Sequence, residues 1–281
     1  MKRSILNIVI FAVVTIGAGF FGAWINRQIP VSDPMQSLGI LIWLVTPLLA
    51  NLLLRLLGGD GWKDFGLNPL LIRSGKWYLF AIALTFIVGG LLYIVGLPAG
   101  VTTLSLFTSK GLNTFATGFL TFFALNAVKN IFEEFAWRGY LTPKLEAVGA
   151  NPWTGALVTG LIWAAWHIPY YLYFLTPEAR MTATPLTVPQ IILTALITLP
   201  LQSFLYAELR LVSGTVWTAW LLHTLANAFG YALAMGGFTV MSRGILYNLF
   251  TPGTEGILYS ALLFLAGIWL HRRRMRQETI Q

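Results

Sequence analysis

The chain has 281 residues, of which 57% are hydrophobic and only 10% charged; a soluble domain carries about a quarter charged residues, so this composition, with a mean hydropathy of +0.72, excludes an ordinary soluble protein and indicates an all-α, polytopic membrane protein. The net charge of +8 does not indicate nucleic acid, because the basic residues are scattered through short loops and both termini instead of lining one face, and anionic lipid is the expected partner. The lack of cysteine excludes disulfides, thiolate metal sites and cysteine nucleophiles.

A membrane-crossing helix needs about 20 apolar residues, and eight segments qualify. They run roughly Ile5 to Ile25, Gln36 to Leu57, Trp77 to Val95, Asn113 to Leu141, Trp153 to Leu175, Pro189 to Ala207, Thr215 to Met235 and Glu255 to Leu270. The first is longer than the apolar core of a signal peptide, about 7–15 residues, and no small-x-small cleavage site follows it, so it reads as a span. Between the second and third, GGDGWKDFGLNPLLIRSGKW (Gly58 to Trp77) mixes polar and apolar residues and reads as a short amphipathic piece on the membrane surface. Trp24, Trp43, Trp62 and Trp77 suit interfacial positions. Pro169 and Pro200 are expected to kink their helices. With no internal repeat or low-complexity segment, the reading is a single integral membrane domain over residues 1–281.

An even number of spans puts both termini on one side. Lys2, Arg3, Arg272, Arg273, Arg274 and Arg276 lie on that side, joined by Arg55, Lys63, Arg73, Lys76, Lys144 and Arg210; only Arg27, Lys110, Arg180 and Arg243 lie opposite. Basic residues favour the cytoplasmic side, so both termini are expected there.

The fourth span holds the most concentrated charge. Only ten residues of the chain are acidic, yet NAVKNIFEEFAWR (Asn126 to Arg138) sets Glu133 and Glu134 together between Phe132 and Phe135. Charge inside a membrane is costly and points to function. A helical residue advances about 100°, so Asn126, Asn130, Glu133 and Trp137 form one stripe within roughly 60°. Glu134 stands about 100° from Glu133 and one turn before Arg138, the i,i+4 spacing of an ion pair. Glu134 is therefore expected to be held by Arg138, while Glu133 faces a polar cavity with the asparagines and is free to act on water. Lys129 is expected to snorkel or to pair with a carboxylate.

Two further spans carry polar groups. The fifth, LIWAAWHIPYYLY, has His167 one turn after Trp163; the seventh, WLLHTLANAFG, has His223 and Asn227 at i and i+4 on one face. At 1.5 Å per residue, His167, His223 and Glu133 lie roughly 20, 13 and 15 Å from the cytoplasmic ends of their spans. One wet pocket below the cytosolic surface could therefore hold all three. Gln202, Tyr206 and Glu208 on the sixth span are expected to serve helix-end packing more than substrate access, and His271 to sit at the interface.

EEFAWR (Glu133 to Arg138) has the pattern EExxxR, His167 follows an aromatic residue by four, and HTLAN (His223 to Asn227) has the pattern HxxxN. In this order the chain resembles the CPBP intramembrane proteases, also called the Abi or type II CAAX prenyl endopeptidase family. The likeness covers a motif-bearing core of about residues 111–230. WKDFGL (Trp62 to Leu67), RGYLTPKL (Arg138 to Leu145) and SGTVW (Ser213 to Trp217) support it. Trp163 departs from it, since the family usually has phenylalanine there. The resemblance implies Glu133 as catalytic general base, His167 as a residue that orients water or protonates the leaving amine, and His223 with Asn227 as the oxyanion-stabilising pair. Glu134, Arg138, Asn130 and Trp163 are supporting residues.

The resulting expectation is metal-free hydrolysis of a membrane-associated peptide or protein. No cofactor is expected. A zinc enzyme on the same glutamate and histidines, and a transporter or non-catalytic membrane partner, remain alternatives. The resemblance leaves a prenylated CAAX tail, a bacteriocin leader or a signalling pheromone open as substrate; the compact chain reads as prokaryotic, which leans away from the CAAX tail.

Overall fold

In the computed structural model, which describes residues 2–29, 31–240, 242 and 244–280, helices begin where the sequence supplies a cap. Ser37 accepts a hydrogen bond from the Ile40 amide at the start of α2 (Leu38–Leu56), and Thr108 from Gly111 at the start of α4 (Ser109–Ala136). Asn151 does the same for α6 (Pro152–Pro169), whose first residue is a proline that lacks only a donor no helix start would use. Thr187 and Gln190 form a capping box at α8 (Val188–Ser213). With α1 (Lys2–Gln28), α3 (Leu71–Gly96), α9 (Trp217–Met235) and α11 (Ile257–Ile280), these segments stand at all eight expected span positions.

Five stretches, α1, α2, α3, α8 and the continuous run Ser109–Ala147, have the length and hydropathy to cross a membrane. The other three expected positions are occupied by α6, α9 and α11. Short helices α5 (Thr142–Ala147), α7 (Pro177–Ala183) and α10 (Ile245–Phe250) fill connections. Among the described residues there is no strand, only an isolated bridge between Thr102 and Thr239, so the protein is an all-α membrane bundle. Arg243, assigned by charge to the outer side, lies outside the described residues.

α4 packs on α9, α6 on α8, α1 on α2, and α8 also on α11. Small residues permit the closest crossings: a Cβ on Gly22 would lie 2.3 Å from the Gly39 carbonyl oxygen, and one on Gly160 2.3 Å from the Pro200 Cα. Pro200 thus serves as a contact surface inside α8, while Pro169 passes α6 into a wide π-helical turn, Tyr170–Phe174.

The connection between α2 and α3 corrects the surface-piece expectation. Residues 57–70 form a loop, and α3 starts at Leu71 instead of Trp77. The loop is tied into the bundle. Asp64 pairs with Arg55 (2.6 Å) and Lys144 (2.8 Å), its carbonyl accepts from Arg210 (2.7 Å), and Phe65 is buried. Arg55 also donates to the carbonyl of Gly139 at 2.6 Å, and Tyr140 to Asp60 at 2.7 Å. Gly66 takes φ 75°, and any Cβ there would sit 2.5 Å from the Arg210 guanidinium, so only glycine fits. The Thr215 hydroxyl and Val216 amide donate to its carbonyl. Three sequence motifs that carried the resemblance therefore meet at one end of the bundle. Two tryptophans also differ from expectation: Trp43 and Trp77 are buried, Trp43 stacked on Trp166 with centroids 4.0 Å apart, whereas Trp24 and Trp62 are exposed.

Candidate active site

The glutamates sit on the last turn of α4, just before a π-helical turn, Trp137–Leu141, that carries Arg138. Such turns widen a helix by one residue and are frequent at functional sites. Arg138 Nη1 donates to Glu134 Oε1 at 3.0 Å, as the i,i+4 spacing predicts. The guanidinium lies between the rings of Trp163 and Tyr206, 4.5 and 4.6 Å from their centroids. Both members of the ion pair are fully buried.

Glu134 has a second partner that sequence reasoning missed. His223 Nδ1 lies 2.8 Å from Glu134 Oε1, so this carboxylate is shared between an arginine and a histidine. Glu133 is held separately. Its Oε1 pairs with Lys129 at 2.5 Å, one of the two roles expected for that lysine, and its Oε2 accepts from the Trp163 indole at 2.8 Å. A phenylalanine at position 163 could not make that bond.

Tautomers follow from the acceptors. The Trp163 carbonyl, 2.9 Å from His167 Nδ1, can only accept, so Nδ1 carries the proton and Nε2 of the neutral ring carries the lone pair. A carboxylate at His223 Nδ1 imposes the same choice. Asn227 donates to Asn126 Oδ1 at 3.2 Å and accepts from the Thr254 hydroxyl at 3.3 Å, which orients its carboxamide and leaves one N–H without a partner among the described residues.

Glu133, His167, His223 and Asn227 line one cavity of about 440 Å³. Lys129, Trp163 and Gln202 line it too, whereas Glu134 and Arg138 lie behind its wall. The cavity runs from the layer of the glutamates to the end of the bundle opposite Asp64, where Met35, Ala179 and Thr184 line it. It is therefore not confined below the expected cytosolic surface.

The asparagine stripe needs correction. Asn126 and Asn130 are buried between α4 and α9, bonded to Asn227 and to Thr224 (3.4 Å), and Trp137 is buried beside Trp166 and Phe11; none of the three lines the cavity. A helix as fully enclosed as the end of α4 presents several faces to neighbours, so a shared stripe does not select the wet one. Gln202 binds the Thr254 carbonyl (2.6 Å) and Ser260 (2.8 Å) besides lining the cavity. Glu208 and His271 pair with each other at 2.9 Å. Two lining residues that the motifs did not single out, Thr254 and Glu255, come from the loop before α11. Among the described residues no three His, Cys, Asp or Glu side chains are grouped to hold a metal ion.

Comparison with known proteins agrees with the motifs. Residues 113–229 match the sequence model of the family described as type II CAAX prenyl endopeptidase Rce1-like. No curated protein matches the chain.

Proposed function

Because residues 113–229 belong to the Rce1-like type II CAAX prenyl endopeptidase family, a family of peptide hydrolases, we propose that this multi-pass membrane protein cleaves a membrane-associated peptide or protein with water activated by Glu133. One observation carries the reading: Glu133, His167, His223 and Asn227, contributed by three helices, open onto a single cavity.

In this scheme Lys129 and Trp163 fix the Glu133 carboxylate while His167 Nε2 helps to orient the water. Water oxygen bonds to the peptide carbonyl carbon as its proton passes to Glu133. The remaining N–H of Asn227 is available to the oxygen that becomes negative, and His223, held by Glu134, lines the same cavity. When the C–N bond breaks, the proton passes from Glu133, directly or by way of His167 Nε2, to the leaving amine, which gives a carboxylic acid and an amine without any group left on the protein. Arg138 acts through Glu134 and positions His223.

The zinc alternative keeps one supporting feature, since both imidazoles use Nδ1 for a hydrogen bond and leave Nε2 for a ligand, as metal-bound histidines do. Metal content of purified protein, with cleavage assayed after chelation, decides it. Stoichiometric zinc and loss on chelation would replace the metal-free scheme. The substrate itself is found by comparing membrane peptides from cells that carry the wild type with those that carry Glu133→Gln. Products present only with the wild type support the proteolytic reading, and identical peptide sets oppose it.

A further inference from the structure

Glu255 is the charged group in the cavity that the scheme above leaves unused. The loop carrying it is built into the site. Thr254, its neighbour, donates to Asn227 and accepts from Gln202, the Gly256 amide donates to the Gly253 carbonyl at 2.8 Å, and the Gly253 Cα lies 3.1 Å from the Cβ position of Gly230 on α9. A side chain added at Gly230 or Gly253 would crowd this contact between loop and helix. Glu255 itself forms no hydrogen bond or ion pair with any described residue, and it is exposed into the cavity that Glu133 and His167 also line.

Charge makes this position informative. Lys129 and Glu133 compensate one another, which leaves Glu255 as the acidic side chain of the cavity lining without a partner among the described residues. Tyr170, Tyr171 and Tyr231 line the same cavity. A carboxylate beside aromatic rings suits an ammonium or guanidinium, which pairs with the carboxylate and lies against ring faces. Much of the remaining lining is apolar, including Trp43, Leu44, Ile191 and Leu199. Cavities of roughly 300–1,000 Å³ hold drug-sized ligands, so this one admits several side chains at once. We propose that Glu255 is a specificity subsite that receives a Lys or Arg side chain of the peptide substrate, flanked in that substrate by apolar residues. This rests on the proteolytic reading for the identity of the ligand as a peptide.

The test uses the full-length protein in lipid nanodiscs and N-acylated apolar peptides in which Lys, Arg, norleucine or Glu is moved through successive positions. Equilibrium binding is measured on Glu133→Gln protein, which removes turnover, and kcat/KM on protein with Glu133 intact. At one position Lys or Arg should bind about tenfold more tightly than norleucine, equivalent to about 1.4 kcal/mol. Glu255→Gln should abolish that ratio, Glu255→Asp should retain part of it, and Glu255→Lys should reverse it in favour of Glu. Equal affinity across the series, no binding of any peptide, or a basic preference that survives both Glu255→Gln and Glu255→Lys would overturn the inference. A Glu255-dependent basic preference in protein that cleaves nothing would instead sink the protease and leave the subsite. Cleavage without such a preference would do the opposite.

Discussion

The two ends of the polar interior differ in how completely their polar groups are satisfied by one another. Around Asp64, two cations meet one carboxylate and adjacent carbonyls: Arg55 binds Asp64, Asn51 and the carbonyls of Gly61 and Gly139, while Lys144 binds Asp64 and the carbonyl of Asp60. In the cavity, Glu133 has two donors but still faces open space, Asn227 keeps a spare N–H, and Glu255 has no partner among the described residues. Groups that satisfy one another inside protein stabilise a fold, whereas groups held in place but left open are available to a substrate. Substitutions at the first end should therefore change stability and those at the second should change chemistry.

After Glu133 itself, the largest such effect is expected at Asn227. Asn227→Ala should lower kcat by about 10²–10³-fold, the usual cost of one oxyanion donor, with little change in KM; steady-state kinetics on the peptide from the proteomic comparison measure this. At the matched end, Asp64→Asn leaves buried Arg55 without its carboxylate and should cost about 2 kcal/mol of stability, read from thermal unfolding, with unchanged activity per folded molecule. Burial would raise the Asp64 carboxyl, but hydrogen bonds from Lys144 and Arg55 outweigh it and hold the group below its ordinary value of 3.8. Its contribution is thus fully present above that value and fades as pH falls through the lower folded-state value. Wild type and Asp64→Asn should converge in stability under strong acid, and a gap that persists there would show that the pairing is not its source.

Trp163→Phe removes one hydrogen bond to Glu133 while keeping an aromatic ring over Arg138. About a tenfold fall in kcat is expected for losing a hydrogen bond to a charged group. Unchanged kcat would mean that the indole only fills space. The smallest effect belongs to Thr254→Val, which frees the Asn227 carboxamide to rotate. Roughly a threefold loss is expected, within the range for one neutral hydrogen bond, and the loss should vanish in an Asn227→Ala background because the two residues act through one amide.

Much of this arrangement was legible in the residue order. Hydropathy located all eight helical positions, and the i,i+4 spacing of Glu134 and Arg138 anticipated their ion pair. Tertiary contacts decided the rest. The Glu134–His223 bond joins residues far apart in sequence, and Asn126 and Asn130 face α9 because that helix supplies Asn227 and Thr224. The segment around Asp64 has the mixed composition of a surface piece, yet Arg55, Lys144 and Arg210 draw it inward. Glu255 escaped notice because an acidic residue at the start of an apolar run reads as a helix end. Only the folded loop shows that it lines the cavity.

The central claim is that Glu133 activates the water that attacks the peptide bond. Its most direct measurement is kcat of purified Glu133→Gln beside wild type in lipid nanodiscs, with the unfolding midpoint of each recorded on the same sample. A fall of about 10³-fold or more with matched midpoints is the predicted result. Retention of wild-type kcat by a folded Glu133→Gln protein would contradict the account.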